Sequence, residues 1–352
     1  GTFYRKNNLP IEYVPASKLG EWLTNPRTRI GITNYEAIRE GLSPGRLVAL
    51  ILDESSYLKS HYGAWGTRLI ELGRGLDYKL CLTGTPAPND RIEFANHAVF
   101  LDREPNGNAF LARYFVNRGQ TANRWELKPH ALKPFYRALA EWCIFLEDPA
   151  TYGWKDNVGN IPPINVQLHE VPLTNEQWRI YRRLKGKGGI VQRGKLSQLA
   201  KGHYKGKEVP SNKPQYIKDL VDSFSGESCI IWCRYNAEQD LMERTLPGSL
   251  SIRGSTPTEE RLAQIEEFKQ ARNLRIISKP KVMGFGLNLQ VATRQVFNGL
   301  HDSYEEYWQA IKRSNRVGST KPLNVHIPYT RIEKPLVDSV LKKAKRVNED
   351  AR

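Results

Sequence analysis

Leu47-Val48-Ala49-Leu50-Ile51-Leu52 is an unbroken apolar run, and the acidic pair Asp53-Glu54 follows it directly. A run of this length is typical of a central parallel strand that is buried on both faces. Tyr78-Lys79-Leu80-Cys81-Leu82 is a second run of strand length, and residues 62–75 between the two have the pattern of a connecting helix. The sequence therefore predicts a strand, a helix and a second parallel strand early in the chain.

The second half of the chain repeats this alternation. Strands are predicted at 228–233, 249–253, 274–278, 294–298 and 323–328, and helices at 236–246, 257–271, 303–314 and 331–346. Two helices begin with the pattern of a capping box, Thr256-Pro257-Thr258-Glu259 and Ser303-Tyr304-Glu305-Glu306. We expect an α/β protein with two lobes, each a mostly parallel sheet with helices on both faces.

Composition limits the classes of function. The 352 residues include 53 Lys or Arg against 37 Asp or Glu, which gives a net charge of +16 and favours nucleic acid over a membrane surface as the partner. No apolar run approaches the ~20 residues of a membrane span, and Gly1–Lys6 do not resemble a signal peptide. The four cysteines form no CxxC pair, so we expect a reduced cytoplasmic protein without a metal cluster.

The join between the lobes is expected in the middle of the chain. Ile161-Pro162-Pro163 predicts a boundary, with a first lobe at 1–163, a connecting segment at 164–215 and a second lobe at 216–352. Residues 179–207 hold ten Lys or Arg and no acid, together with six glycines. Two interpretations of this stretch stay open, a solvated mobile loop or a contact with a phosphate backbone.

Polar motifs follow the predicted strands. One carboxylate of Asp53-Glu54 could hold Mg²⁺ and the other could orient or deprotonate water, although a helix-capping acidic pair would look the same. Leu82-Thr83-Gly84-Thr85-Pro86-Ala87-Pro88-Asn89 could couple a phosphate to chain movement or form a simple turn. Gly284-Phe285-Gly286 permits close approach of the backbone to a ligand, which is weak evidence alone.

Gln309-Ala310-Ile311-Lys312-Arg313-Ser314-Asn315-Arg316-Val317-Gly318 is the most specific segment. Gln309 and Arg313 are four residues apart and Arg313 and Arg316 three apart, so on a helix they would share a face. Two arginines placed in this way could clamp a transferring phosphoryl group. A basic helix end that interacts with the helix dipole is the alternative.

In this order the motifs resemble those of helicase superfamily two in its Swi/Snf-like branch, closest to compact phage and bacterial DEAD/DEAH-box-type helicases. Asp53-Glu54-Ser55-Ser56 with Lys59 resembles motif II, and residues 82–89 resemble motif III. Residues 229–235, 278–290 and 309–318 resemble motifs IV, V and VI, and 195–204 resembles the segment that joins the lobes. The resemblance runs from about Arg29 to Tyr329 and implies two RecA-like lobes that hydrolyse ATP to move along DNA.

The resemblance also implies roles for single residues. Asp53 would hold Mg²⁺ through water, Glu54 would activate the attacking water, and Arg313 and Arg316 would contact the γ-phosphate of ATP. The implied nucleotide-binding positions are Thr83, Gly84, Thr85, Gly284, Gly286, Asn288 and Gln309. The implied nucleic-acid contacts are Thr33, Asn34, Arg253, Ser255 and Lys279, and RNA is not excluded as the ligand.

The largest departure from the family is that the 352 residues contain no GxxxxGK[ST] motif. Because that loop and its lysine make most contacts to the triphosphate, we expect an incomplete first lobe and weak ATP binding by this chain alone. Ser55-Ser56 also stands where other branches have Ala-His. A non-catalytic nucleic-acid-binding module and a scaffold protein are the alternatives, and the acidic pair and the two arginines favour the enzyme. No membrane or obligate protein partner is expected.

Overall fold

The computed structural model describes residues 10–59, 63–119, 125–146, 153, 161–184, 190–283 and 287–350. The chain divides into two units, Gly1–Phe145 and Leu146–Arg352. The strands are β1 (Ile11–Tyr13), β2 (Ile30–Ile32), β3 (Ala49–Asp53), β4 (Tyr78–Leu82), β5 (Phe115–Asn117), β6 (Trp125–Leu127), β7 (Ile164–Glu170), β8 (His203–Tyr204), β9 (Lys207–Glu208), β10 (Cys229–Trp232), β11 (Leu250–Ile252), β12 (Arg275–Ser278), β13 (Arg294–Phe297) and β14 (Leu323–Tyr329). The helices are α1 (Leu19–Thr24), α2 (Ala64–Gly73), α3 (Phe94–Phe100), α4 (Gly107–Tyr114), α5 (Leu132–Ala140), α6 (Asn175–Leu184), α7 (Ile190–Ala200), α8 (Lys213–Asp222), α9 (Asn236–Thr245), α10 (Thr258–Gln270), α11 (Tyr304–Lys312) and α12 (Lys334–Asp350).

A six-stranded parallel sheet forms the centre of the second unit, in the order β11-β12-β10-β13-β14-β7. Five of these strands lie where the sequence predicts them, within one or two residues at each end. β7 was not predicted, and it pairs with β14 from Ile164 opposite Leu323 to Glu170 opposite Tyr329. The predicted α/β class and parallel sheet are confirmed in this unit.

Helices cover both faces of this sheet, as the apolar strand β10 requires. Cys229 and Ile231 point to one face, where they pack with residues of α8 and α9, including Met242. Ile230 and Trp232 point to the other face, where they pack with residues of α10, α11 and α12. All four residues of β10 are buried. The continuous apolar run is explained by helices that cover both faces of the strand.

The first unit has no sheet of comparable size among its described residues. It contains the parallel pairs β1-β2 and β3-β4 and the antiparallel pair β5-β6. On β3, Leu52 is buried with Leu69 and Phe100, whereas Ile51 on the opposite face is 61% exposed. The prediction that β3 is buried on both faces is therefore wrong, because among the described residues it pairs only with β4 and one face of that pair is uncovered.

The boundary between the two units precedes the predicted one. The predicted first lobe ends at 163, whereas the first unit ends at Phe145. The predicted connecting segment 164–215 lies within the second unit, because β7 extends the sheet of that unit.

The described part of the basic stretch 179–207 is not a loop. It consists of α6, α7 and the hairpin β8-β9. Lys201 is buried, so it is not available as a phosphate contact, and Lys185 and Lys187 lie outside the described residues. No helix of the described chain is long and apolar enough to cross a membrane.

One predicted capping box is half formed and the other is absent. The Ser303 hydroxyl accepts a hydrogen bond from Glu306 N at 3.2 Å and caps α11. The Thr256 hydroxyl instead accepts from Arg253 N at 2.9 Å, and α10 begins at Thr258 with Pro257 at the N-cap position. Thr256 therefore closes the turn after β11 and does not cap the helix.

A buried ionic cluster, which we call the Glu333 cluster, joins four elements of the second unit. The Glu333 carboxylate accepts from Lys201 Nζ at 2.6 Å and from Lys213 Nζ at 2.9 Å. Glu238 is also buried and accepts from the backbone N of Arg234 at 2.7 Å. Burial alone would raise the pKa of Glu333, but the two ammonium groups outweigh burial and hold that pKa at about 2.

Glycine is required beside this cluster. Gly299 has a φ of +74°, and a Cβ at this position would clash with the Glu333 carboxylate and lie 2.7 Å from Lys201 Nζ. The turn after β13 thus leaves just enough space for the buried ion pairs.

Substitution of Glu333 tests the contribution of the cluster to stability. Glu333→Gln should lower the free energy of unfolding by roughly 3–5 kcal/mol, because it leaves two buried ammonium groups with one carboxylate. Asp338→Asn is the matched control, since its partner Lys334 is on the surface, and it should cost less than about 0.5 kcal/mol. Urea denaturation measures both variants, and equal costs would contradict a special role for the cluster.

Candidate functional site

The acidic pair lies in a sharp turn at the carboxyl end of β3. Asp53 is exposed, and its Oδ1 accepts from Glu54 N at 3.1 Å. Glu54 has a φ of +53°, a left-handed conformation that non-glycine residues seldom adopt. Ser55 and Ser56 are buried immediately after it. The backbone strain at Glu54 is thus maintained by the burial of the residues that follow.

The hydroxyl-rich turn lies beside the acidic pair. Asp53 is the register partner of Leu82, so the segment that leaves β4 begins next to Asp53. Thr83 Oγ1 accepts from Thr85 N at 3.1 Å, Gly84 is exposed, and Thr85 is buried. The structure therefore brings together the residues that were predicted to lie at this edge of the first unit.

Helix α3 connects these two segments through hydrogen bonds that the sequence analysis missed. Asn89 donates through its backbone N and Nδ2 to the Glu93 carboxylate, both at 2.9 Å. Asn96 Nδ2 donates to Leu58 O at 2.8 Å, and His97 Nε2 lies 3.2 Å from Ser55 Oγ. The available signal was Asn96-His97, a polar pair within an otherwise apolar helix.

The environment of His97 fixes its protonation state. Nδ1 lies 3.3 Å from Glu93 O, which can only accept, so Nδ1 carries the proton and Nε2 accepts from Ser55 Oγ. Burial lowers the pKa of His97 to about 4. His97 is therefore a neutral support for the acidic turn at physiological pH.

The first predicted nucleic-acid segment is tied to the same turn. Thr33 Oγ1 donates to Val14 O at 2.8 Å, whereas Asn34 is exposed at the start of a 3-10 turn. Tyr35 in that turn donates to Asp53 O at 2.7 Å and stacks on Tyr57. Asn34 is thus the accessible member of the predicted pair, while the Thr33 hydroxyl is engaged within the protein.

The predicted arginine pair does not share a helix face. α11 ends at Lys312, and Arg316 lies in the turns beyond it. Arg313 is 5% exposed, whereas Arg316 is exposed and donates from Nη1 to Leu287 O at 3.3 Å. Gln309 is half-buried on α11. The shared-face prediction is wrong because the helix stops before Arg316.

The remaining predicted residues lie at the carboxyl edge of the large sheet or near it. Ser255 is exposed after β11, and Lys279 follows β12 and donates to the Asn236 side chain. Arg253 is held by two carboxylates, Asp240 at 2.5 Å and Glu243 at 2.6 Å. Its guanidinium is already neutralised, which disfavours the predicted phosphate contact.

The glycine-containing segment is described only in part. Asn288 is exposed, and its Nδ2 donates to Gln290 Oε1 at 3.0 Å. Gly284 and Gly286 lie outside the described residues.

A further charged group at this edge was missed. Glu306 accepts from Arg234 Nη1 at 3.2 Å, lies 2.8 Å from His301 Nε2 and pairs with exposed Lys281 at 3.4 Å. Burial would raise the pKa of Glu306, but the hydrogen bond with His301 and the charges of Lys281 and Arg234 hold it at about 2. This edge of the sheet therefore carries a group of paired acidic and basic side chains.

The first unit thus carries an acidic turn beside a hydroxyl-rich turn, and the second carries charged side chains at the carboxyl edge of a parallel sheet. A family model described as the SNF2-related domain matches residues 24–220. A second, described as the helicase conserved C-terminal domain, matches residues 212–318. The chain belongs to the SNF2-related family.

Curated relatives are distant and much longer than this chain. The mouse DNA annealing helicase and endonuclease ZRANB3 is 24% identical over 317 residues, covering 84% of this chain and 29% of the relative. The Arabidopsis thaliana protein CHROMATIN REMODELING 4 is 24% identical over 348 residues, covering 86% of this chain and 15% of the relative. The chain thus spans less than a third of either relative.

Two solved structures show a limited likeness. The C-terminal part of the Fun30 ATPase domain has a TM-score of 0.42 and 17% identity, over 51% of this chain and 90% of that chain. The Sulfolobus solfataricus SWI2/SNF2 ATPase core in complex with dsDNA has a TM-score of 0.39 and 18% identity, over 97% of this chain and 82% of that chain.

Acid titration tests the buried state of His97. Because the unfolded chain takes up this proton near pH 6.5 and the folded chain only near pH 4, stability is complete above pH 6.5 and falls between these values. The expected loss from His97 is about 3 kcal/mol. His97→Gln should flatten this part of the curve of unfolding free energy against pH.

Exposed His130 provides the control for the substitution itself. His130→Gln should leave the free energy of unfolding at pH 7 close to that of the wild type, because an exposed side chain is changed. His326, whose pKa burial also lowers to about 4, contributes equally to all three proteins. Parallel curves for the wild type and His97→Gln would show that His97 is not buried in its neutral form.

Proposed function

We propose that this chain is the motor portion of an ATP-dependent DNA translocase of the Swi/Snf-like type. The observation that carries the proposal is the placement of Asp53-Glu54 beside Thr83–Thr85 at the end of two paired strands. Membership of the SNF2-related family supports it, as do relatives named as a DNA helicase and a chromatin remodeling protein. Because ATP and DNA are both present inside cells, the proposed location is the cytoplasm. The proposed origin is a bacterium or a phage.

Glu54 is the proposed general base. Its carboxylate accepts a proton from water while the water oxygen attacks the γ-phosphorus of ATP. The bond from that phosphorus to the bridging oxygen breaks, and ADP leaves. The strained turn supports this role, since the buried residues after Glu54 limit the directions in which its carboxylate can point.

Asp53 suits Mg²⁺ by the chemistry of its donor atoms. Mg²⁺ prefers oxygen ligands and is commonly held by one or two carboxylates together with substrate phosphates. Asp53 is exposed at the strand end with an accessible carboxylate, so it would hold the ion, directly or through water. The ion would neutralise charge that develops on the phosphates.

In this proposal the two lobes are RecA-like and ATP binds between them, with Arg316 as the principal contact to the γ-phosphate from the second lobe. Arg316 is exposed, whereas Arg313 would have to leave a buried position to reach a ligand. Thr83, Gly84, Thr85, Asn288 and Gln309, with Gly284 and Gly286, are the other proposed nucleotide positions. Asn34, Ser255 and Lys279 are the proposed DNA contacts, with Thr33 and Arg253 in supporting positions.

A non-catalytic nucleic-acid-binding module is the second candidate, and the absence of GxxxxGK[ST] from the 352 residues favours it. ATP hydrolysis, measured with and without single- and double-stranded DNA, separates the candidates. The assay compares this chain with the longest product of its gene. DNA-stimulated hydrolysis by the longer product supports the motor, whereas DNA binding without hydrolysis by either supports the module.

Weak ATP binding is the expected result for the 352-residue chain by itself. The 352 residues contain no GxxxxGK[ST] motif, the loop whose lysine and backbone hold the β- and γ-phosphates in P-loop enzymes. Equilibrium binding of a fluorescent ATP analogue measures the affinity, with ADP as competitor. Micromolar affinity would contradict this expectation.

Glu54→Gln tests the proposed base in the gene product that hydrolyses ATP. The amide keeps the size of the side chain but cannot accept the proton, so hydrolysis should fall by at least 100-fold while ATP affinity stays within a few-fold. Glu71→Gln, at an exposed position on α2, is the control. Turnover at the wild-type rate in Glu54→Gln would remove Glu54 from its role.

A further inference from the structure

Three arginines form one face of α6 in the second unit. Arg182 and Arg183 follow Arg179 by three and four residues, and all three are exposed. None of the three guanidinium groups is joined to a carboxylate of the described residues. We call this set the α6 arginine face. Exposed Glu176 lies on the same side of α6, so the three arginines and this acid leave the face with a net positive charge.

Buried Gln177 sets the direction of this face. Its Nε2 donates to Leu199 O in α7 at 2.8 Å, and its Oε1 accepts from Thr174 N at 3.0 Å. At 100° per residue, the three arginines lie on the side of the helix opposite Gln177. The anchor therefore turns the arginines towards solvent.

The helix is fixed at both ends. Thr174 Oγ1 donates to Pro210 O at 2.8 Å near the start of α6, and Gln192 Nε2 donates to Leu184 O at 2.5 Å at its end. α7, against which α6 packs, is followed directly by Lys201 of the Glu333 cluster. The arginines thus stand on a rigid base, which reduces the entropy lost when they bind a ligand.

Repulsion among the arginines indicates the ligand. Like charges three and four residues apart destabilise a helix, and a bound polyanion removes that cost. Guanidinium groups bind phosphate oxygens in pairs of hydrogen bonds. One helical turn of about 5.4 Å matches about two phosphates of a DNA strand, which are spaced at roughly 3.4 Å along the axis.

A membrane surface fits this face less well. The exposed residues of α6 are all polar, and the aromatic residues Trp178 and Tyr181 are half-buried. An interfacial helix needs an apolar face to insert among lipids. Lys195 on α7, and Lys205 and Lys207 on the β8-β9 hairpin, are also exposed basic residues of the same stretch.

We infer that the α6 arginine face binds the phosphate backbone of duplex DNA, independently of base sequence. This inference rests on the nucleic-acid partner of the proposed function. It adds a contact surface outside the motif residues discussed above. Phosphate contacts position a protein on a duplex without reading its sequence.

The test measures binding of this chain to a fluorescent 30-base-pair DNA duplex at several salt concentrations, without ATP. The variant carries R179Q, R182Q and R183Q together. It should lower the slope of log affinity against log salt by about 2–3 and weaken binding by roughly tenfold or more near 0.1 M salt. Exposed side chains are changed, so thermal unfolding should stay as in the wild type.

A matched control carries K133Q, R137Q and R272Q, which removes the same charge from exposed positions elsewhere. It should change the salt slope by less than 1. Equal losses in the two variants, an unchanged slope in the α6 variant, or no salt-dependent binding by the wild type would each overturn the inference. ATP hydrolysis by the longer gene product tests the proposed function separately, since either result can fail alone.

Discussion

Parallel pairing of strands is the constraint on which the candidate site depends. Asp53 and Leu82 are register partners, so the acidic turn and the hydroxyl-rich turn leave the same edge of the β3-β4 pair. An antiparallel arrangement would separate these turns by the length of a five-residue strand, about 16 Å. The same rule gathers Ser255, Lys279 and Arg234 at one edge of the large sheet in the second unit. In both units, the direction of the strands thus determines which polar residues lie at the same edge of a sheet.

Buried polar contacts then hold these edges in place. In the first unit, α3 fixes the acidic turn through His97 and Asn96 and the hydroxyl-rich turn through Glu93. In the second unit, the Glu333 cluster joins the segment after α7 to α8, α9 and α12. Such groups are costly to bury and stabilise the fold only while every partner is present. Both units therefore use buried polar contacts to limit movement close to surfaces that carry charge.

The elements that the sequence predicts well are those whose residues are buried on two faces. β10, with four buried residues, follows directly from its apolar run, and β14, with six, has Leu323, Val325 and Ile327 at alternate positions. β7 was missed although Ile164, Val166 and Leu168 alternate in the same way; most of its residues are exposed, and it is held by its pairing with β14. α6 and α7 were missed because glycines and cations between them suggested a loop, whereas Gln177 and Lys201 anchor these helices by contacts distant in sequence.

The candidate site could also be predicted only where it depends on the positions of strands. The strand ends could be predicted because they require only the positions of strands. The end of α11 was not predicted, although Asn315 and Gly318 are residue types that commonly follow the end of a helix. The segment beyond the helix is held by contacts distant in sequence, since Leu289 N donates to Arg313 O at 2.9 Å and Asn315 Nδ2 donates to Pro162 O at 2.7 Å. Such contacts cannot be found from the spacing of the two arginines.

The net charge of the chain opposes association through the uncovered face of the β3-β4 pair. Ile51, Leu80 and Leu82 present adjacent apolar surface to water, and such surfaces attract one another when molecules collide. A charge of +16 opposes those collisions through mutual repulsion between chains. Dissolved ions weaken that repulsion and leave the apolar attraction intact. The tendency of the chains to associate should therefore rise with ionic strength, because salt weakens the repulsion between cationic side chains but not the attraction between apolar strand surfaces.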